Sequence, residues 1–278
     1  MMYDLYTGLL RMYDDFRDDG KVVDMVYRYD KELDILKETY ELEKLTGAGS
    51  DFDKIVSLLH WEAKHIFHKG DYDNHVINRA MDLLEYSYNK SAEYGINCRS
   101  LSIALTECYL SIGIKARTIY LMPLSPYDRD NHVVCEAWSN EYNKWIMVDP
   151  TYGLYLMDEY KTPLNVMEIR ERLAFQKELN LSEGCHYNGN KLDKNEILEY
   201  YAKDFFYFQI RKIHGYNMDG IENNWMITIA PKGYDVKKKE LANIDYRIKQ
   251  WGDNEGFQNW RRNVEEGSII YKDITLLQ

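Results

Sequence analysis

The chain has 278 residues, 45% of them hydrophobic, enough to bury a substantial core as one large domain or as a core with appendages. Its 46 acidic against 35 basic residues leave a net charge of −11, and no basic patch interleaved with aromatics offsets it, which argues against nucleic acid or an anionic membrane as partner. No apolar run reaches the length of a transmembrane helix, and Met1-Met2-Tyr3-Asp4-Leu5-Tyr6 lacks the basic flank and apolar core of a signal peptide. The sequence as given therefore reads as cytoplasmic, without membrane insertion, or as exported if a leader precedes it.

Residues 1–46 read as two acidic amphipathic helices, with Val22, Val23, Val26, Leu33, Leu36, Tyr40 and Leu45 as apolar positions. Gly47-Ala48-Gly49-Ser50 is the best boundary, and Ser50 with Asp53 forms a capping pair for a helix running through His68. A further helix is expected over residues 76–94. Asn97 is a good N-cap, and Leu101, Ile103, Ala104, Leu105, Cys108, Leu110 and Ile112 follow with helical spacing to a stop at Gly113. Residues 132–139 read as a strand, 140–143 as a polar turn and 144–149 as the returning strand. Asn165 with Glu168, and Asp193 with Glu196, start helices at about 166–179 and 194–205. Strands are expected at 205–210 and 225–230, and helix again at 236–251. The connections are too short for parallel crossovers, so the expected class is α+β, with one antiparallel sheet extended by the later strands. The expected organisation is a helical appendage at 1–50, a core at 51–160 and an extension at 161–278, packed as one unit.

Cys98 is the main clue to chemistry. A thiol is a useful nucleophile as thiolate, and a helix N-terminus, a neighbouring imidazole and a carboxylate orienting that imidazole all favour this state. As the first helical residue, Cys98 would gain from the helix dipole, and its free amide could help hold an oxyanion. His132 and Asp149 lie on the two strands of the predicted hairpin. With an even-length loop, paired positions sum to an odd number, so Asp149 shares a sheet face with His132, opposite it or one diagonal step away. An odd-length loop would separate them. Cys108, Cys135 and Cys185 are read as small buried hydrophobes, and four cysteines without framework spacing favour free thiols. His60, His65 and His68 are spaced by five and three on a helix and, with His75, match no metal-site pattern, so no metal is assigned. The 25 tyrosines read as packing rather than as a binding box.

Together these pieces resemble the transglutaminase-like superfamily, whose papain-like core carries a Cys-His-Asp triad in this chain order. The resemblance runs over about residues 52–155: Cys98 before a helix ending Leu110-Ser111-Ile112-Gly113-Ile114-Lys115-Ala116-Arg117, then His132 with Glu136 four residues on, then Trp145 ahead of Val148-Asp149-Pro150-Thr151. His68-Lys69-Gly70, Asn97-Cys98-Arg99 and Ala202-Lys203-Asp204-Phe205-Phe206-Tyr207-Phe208 are similar to a group of uncharacterised bacterial members. The chain departs from the family in having Val134 two residues after the histidine, where an aromatic is common, and Lys115 in place of a proline. The resemblance implies Cys98 as nucleophile, His132 as general base and acid, and Asp149 as orienting carboxylate. Animal members use a tryptophan toward the oxyanion; here Trp61 falls inside a helical run, which leaves Asn97 and the loop at His68 as further supporting candidates. Their calcium sites and β-sandwiches have no recognisable counterpart, so no cofactor is expected. The expected function is cysteine-dependent acyl transfer on peptide or protein amides through a thioester, hydrolysis before transamidation. The alternative is a catalytically silent binding or scaffold module on the same fold.

Overall fold

Side-chain caps set several helix starts. The computed structural model describes residues 2–16, 24–219 and 226–266. In chain order the helices are α1 (Met2–Met12), α2 (Lys31–Thr39), α3 (Leu42–Thr46), α4 (Asp51–His65), α5 (Ala80–Ser87), α6 (Cys98–Ser111), α7 (Val166–Ala174), α8 (Lys194–Asp204), α9 (Val236–Trp251) and α10 (Glu255–Glu266). The strands are β1 (Val26–Tyr27), β2 (Ala116–Met122), β3 (His132–Ser139), β4 (Lys144–Asp149), β5 (Leu154–Met157), β6 (Asn180–Leu181), β7 (Tyr207–Arg211), β8 (Ile213–His214) and β9 (Met226–Ile229). Ser50 and Asp53 close a reciprocal capping box on α4, as do Asn165 and Glu168 on α7. Asp193 accepts from the amides of Asn195 and Glu196 at the start of α8.

Seven strands form one antiparallel sheet in the order β6-β5-β4-β3-β2-β7-β9, so β7 and β9 extend the central hairpin as its short connections suggest. Its central strands β3 and β4 are buried on both faces because helices cover each side. One face packs Val134, Met147, Ile119 and Leu121 with α7, α8 and α1. The other packs Cys135, Ala137, Ile146 and Val148 with α2, α4, α5 and α6. β1 and β8 pair in parallel as a separate two-stranded ribbon. The result is a mixed α+β fold built on one antiparallel sheet.

Several expected elements differ, each for a tertiary reason. Among the described residues of the first 46 there are three helices rather than two, and Val26 lies in β1 against Ile213; Val22 and Val23, like Trp225, lie outside the described residues. Helix α4 stops at His65 rather than His68, since Phe67 and Lys69 instead pair with Ile96: the Ile96 amide donates to the Phe67 carbonyl at 3.0 Å and the Lys69 amide to the Ile96 carbonyl at 2.9 Å. The helix expected over 76–94 shrinks to α5 plus a 3₁₀ turn at Ala92–Tyr94. Its start is docked on the buried Glu107, whose Oε2 accepts from the Ala80 amide at 2.6 Å, and Asn89 at φ 56° breaks its end. Gln176, at φ 50°, ends α7 five residues early.

Arg117 and Glu136 face each other across β2 and β3 and are 1% and 0% exposed. Arg117 Nη2 and Nε donate to Glu136 Oε2 at 2.6 and 3.0 Å, while Glu136 Oε1 accepts the Val166 amide at 2.9 Å, at the start of α7. The guanidinium lies 3.8 Å from the centre of the Trp145 ring. One ion pair thus ties β2, β3, β4 and α7 together, and breaking it strands a buried cation. Glu136→Ala should lower unfolding free energy by about 3–5 kcal/mol. Urea denaturation measures this, and a loss under about 1 kcal/mol would deny the pair that role.

Candidate active site

Helix α6 is aimed by its docking on β3. The Ser102 hydroxyl donates to the Val133 carbonyl at 2.8 Å, and the Cys135 thiol contacts the Ser102 carbonyl at 3.0 Å. At its start, Asn97 is the N-cap, its Oδ1 accepting the Ser100 amide at 3.0 Å, so Cys98 is the first helical residue, as the sequence suggests. The Cys98 amide is one of the first-turn donors without a helical acceptor. The thiol is half-buried, 4.0 Å from the Asn131 carbonyl oxygen, and lines the same cleft as His132, whose charged form it favours.

The hairpin has the even loop and odd-sum register, with Ser139 opposite Lys144 and Cys135 opposite Val148. One step further along, Asp149 is diagonal to His132 on the same face. His132 Nε2 lies 2.5 Å from Asp149 Oδ2, with both side chains buried, which leaves Nδ1 as the ring nitrogen available toward the thiol. Asp149 is held from two further sides: its Oδ1 accepts the Thr151 amide at 2.9 Å, and its Oδ2 accepts the Tyr201 hydroxyl at 2.7 Å. Burial disfavours the charged imidazole, but the charge and hydrogen bond of Asp149, together with Cys98, outweigh it and raise His132 well above its usual pKa. The rings of Tyr200, Tyr152 and Tyr201 pack around the imidazole at centroid distances of 5.3, 5.9 and 6.0 Å.

Residues 39–150 match the model of the transglutaminase-like superfamily. This segment is a transglutaminase-like superfamily domain. Among solved structures the chain is similar to a crystal structure from Cytophaga hutchinsonii named "putative cysteine protease", with 16% identity, a TM-score of 0.35 and coverage of 50% of this chain and 46% of that one. The chain thus spans less than half the length of that protein. A search of the curated proteins finds no match.

The transglutaminase-like domain supplies Cys98, His132 and Asp149, but Tyr201 comes from α8, beyond the matched segment. Of the supporting candidates, His68 and Asn97 line the same cleft as Cys98 and His132, and Trp61 does not. Trp61 sits in the helical core, with its indole N–H directed to the Tyr88 hydroxyl at 3.3 Å, because the helical face that carries it packs on α6 rather than toward the sheet edge. Asn97 is committed by its cap and by its Nδ2, which donates a hydrogen bond to Asn74 Oδ1 at 3.0 Å. The Phe67–Lys69 pairing with Ile96 brings His68 beside the approach to Cys98. Its amide donates to Asn188 Oδ1 at 2.8 Å and its Nδ1 lies 3.1 Å from the Tyr187 hydroxyl. Burial first, and the nearby His132 second, push the His68 imidazole down to about 4, so it is neutral near pH 7.

The cleft encloses about 630 Å³ and is also lined by α9 residues, including Lys239 and Arg247. Among the described residues no group of three or more His, Cys, Asp or Glu side chains is arranged to hold a metal ion, and no helix is long and apolar enough to cross a membrane. Cys108 and Cys135 are buried as expected; Cys185 is half-buried. Tyr201, Tyr187 and Asn188 escaped the sequence reading because each sits in a run without local chemical pattern, and their partners lie far away in sequence.

Hydrogen bonds to charged groups contribute about 1.5–3 kcal/mol, so a double-mutant cycle of Tyr201→Phe with Asp149→Asn, followed by urea unfolding, should give a coupling energy of about that size. Additive losses would deny that the hydroxyl supports the carboxylate. The His68 shift has its own signature. The native imidazole titrates near 4, below its ordinary value of 6.5, so the unfolded state binds the proton first; the resulting stability is present above 6.5 and lost as the pH falls toward 4. His68→Gln should remove this part of the acid sensitivity, read as a flatter urea midpoint between pH 6.5 and 4. An unchanged profile would contradict the assignment.

Proposed function

We propose that this protein is a cysteine-dependent acyl-transfer enzyme acting on peptide or protein amides, with hydrolysis favoured over transamidation. The observation that carries the reading is the buried His132–Asp149 pair lining one cleft with a thiol at a helix start. In the proposed mechanism, the Cys98 thiolate attacks the amide carbonyl while the imidazolium stays bonded to Asp149. Charge develops on the carbonyl oxygen, where the Cys98 amide and His68 are the candidate donors. With the Tyr187 hydroxyl donating to Nδ1, the neutral His68 carries its proton on Nε2, so it can donate there without adding a charge that would oppose His132. As the tetrahedral intermediate collapses, the C–N bond breaks and the His132 Nδ1 proton passes to the departing amine, leaving a thioester on Cys98. His132, now neutral, takes a proton from water; the resulting hydroxide attacks the thioester, and the acid leaves as the thiolate is restored. An amine in place of water gives transamidation. Water is the better default acceptor because the cleft is open to solvent.

Incubation of a degenerate mixture of peptides and glutamine-containing peptides with the protein, followed by mass spectrometry, tests the reading. New carboxyl groups, from cleavage or side-chain deamidation, should appear with the wild type and vanish with Cys98→Ala. Adding a millimolar primary amine should yield less amide product than acid. Iodoacetamide should label Cys98 ahead of Cys108 and Cys135, and more slowly in His132→Ala. Product formation that survives Cys98→Ala would overturn the proposal, and an inert Cys98 with no products would favour a binding module instead.

A further inference from the structure

Most cations that line or border the cleft are ion-paired. Lys239 pairs with Glu240 at 3.2 Å, Lys203 with Asp128 and Asp130 at 3.3 and 3.2 Å, and Arg211 with Asp219 at 2.9 Å; Arg99 also pairs with Asp219. Arg129 and Arg247 are the exceptions. Both line the cleft, and among the described residues neither has a carboxylate within ion-pairing distance, in a chain whose net charge is −11.

Both side chains are nevertheless anchored on one framework. Arg247 Nη2 donates to the Arg129 carbonyl at 3.2 Å and its Nε donates to Asn243 Oδ1 at 2.8 Å. Both lie over the Trp251 ring, 5.3 and 5.7 Å from its centre, and Arg247 also lies 5.7 Å from that of Trp260. Burial and the proximity of Arg129 push Arg247 down, against Glu240, which raises it. The loop carrying Arg129 is fixed to α9 and its approach: Asn243 Nδ2 donates to the Pro126 carbonyl at 2.5 Å, and the Tyr234 hydroxyl donates to the Leu124 carbonyl at 2.6 Å. Two like charges brought to one aromatic ring by such contacts form a site suited to an anion with planar, bidentate acceptors.

We propose that Arg129 and Arg247 form a recognition subsite for a carboxylate carried by the peptide substrate, so that the cleft selects chains with negative charge near the reacting amide. This rests on the acyl-transfer reading for its substrate class, but binding tests it without turnover. The carboxylate could be an acidic side chain or a chain terminus.

The probes are N-acetylated alanine hexapeptide amides carrying Glu, Gln or Lys at each position in turn, together with the all-alanine peptide as free acid and as amide. Titration calorimetry on Cys98→Ala should show one position where Glu binds roughly tenfold or more tighter than Gln, with Lys weaker still. An advantage confined to the free acid would support the same subsite with a terminal carboxylate as its ligand. Either preference should shrink in 0.5 M salt, because charges at the cleft mouth are screened, and should be lost in Arg129→Gln and in Arg247→Gln. Arg129 is exposed, so its variant removes charge without opening the core. Equal affinity for Glu and Gln at every position and for both termini, or a carboxylate preference that survives both substitutions, would overturn the proposal. Binding without turnover by the wild type would leave the subsite standing and remove the acyl-transfer reading.

Discussion

The site depends on one buried charge-assisted hydrogen bond, from His132 to Asp149. A carboxylate with no exposure to water is tolerable when its oxygens are satisfied, and Asp149 receives the imidazole, the Tyr201 hydroxyl and the Thr151 amide. That satisfaction gives the pair its direction: the carboxylate and the nearby thiol outweigh desolvation and favour imidazolium. The thiol needs little beyond position, which the N-cap Asn97 and the contacts of α6 with β3 supply.

Positioning is spread over the whole chain. The Arg117–Glu136 pair locks β2 to β3 and holds the start of α7, so it braces the hairpin on which His132 and Asp149 meet. Tyr27 and the buried His214 stack at a centroid distance of 5.2 Å near that pair, and burial and Arg117 push His214 down to about 3. From beyond residue 150, α8 supplies Tyr201, the loop at Tyr187 and Asn188 orients His68, and α9 walls the cleft. The segment matching the transglutaminase-like model therefore carries the groups proposed to react, while later elements brace them and shape their access.

What was legible in the sequence follows from the range of the interactions. The register that unites His132 with Asp149 depends on a four-residue turn and a period of two, both local, and so it could be counted. The Ser50–Asp53 and Asn165–Glu168 boxes are local as well. Helix ends were less legible where distant contacts decided them: Ile96 stops α4 by pairing with Phe67 and Lys69, and Glu107 starts α5 by accepting the Ala80 amide. Trp61 matched a chemical type but not a direction, because its helical face turns into the core. Tyr201 was invisible for the opposite reason: one tyrosine among 25, its role is defined by a carboxylate 52 residues away.

The most direct test of the account is the titration of the His132 ring by nitrogen-detected NMR in the wild type, Asp149→Asn and Cys98→Ala. The account predicts an imidazole that stays protonated well above its ordinary 6.5, and that falls when either neighbour is removed, since both favour the charge. An imidazole titrating at or below 6.5 in the wild type, or one indifferent to both substitutions, would contradict it.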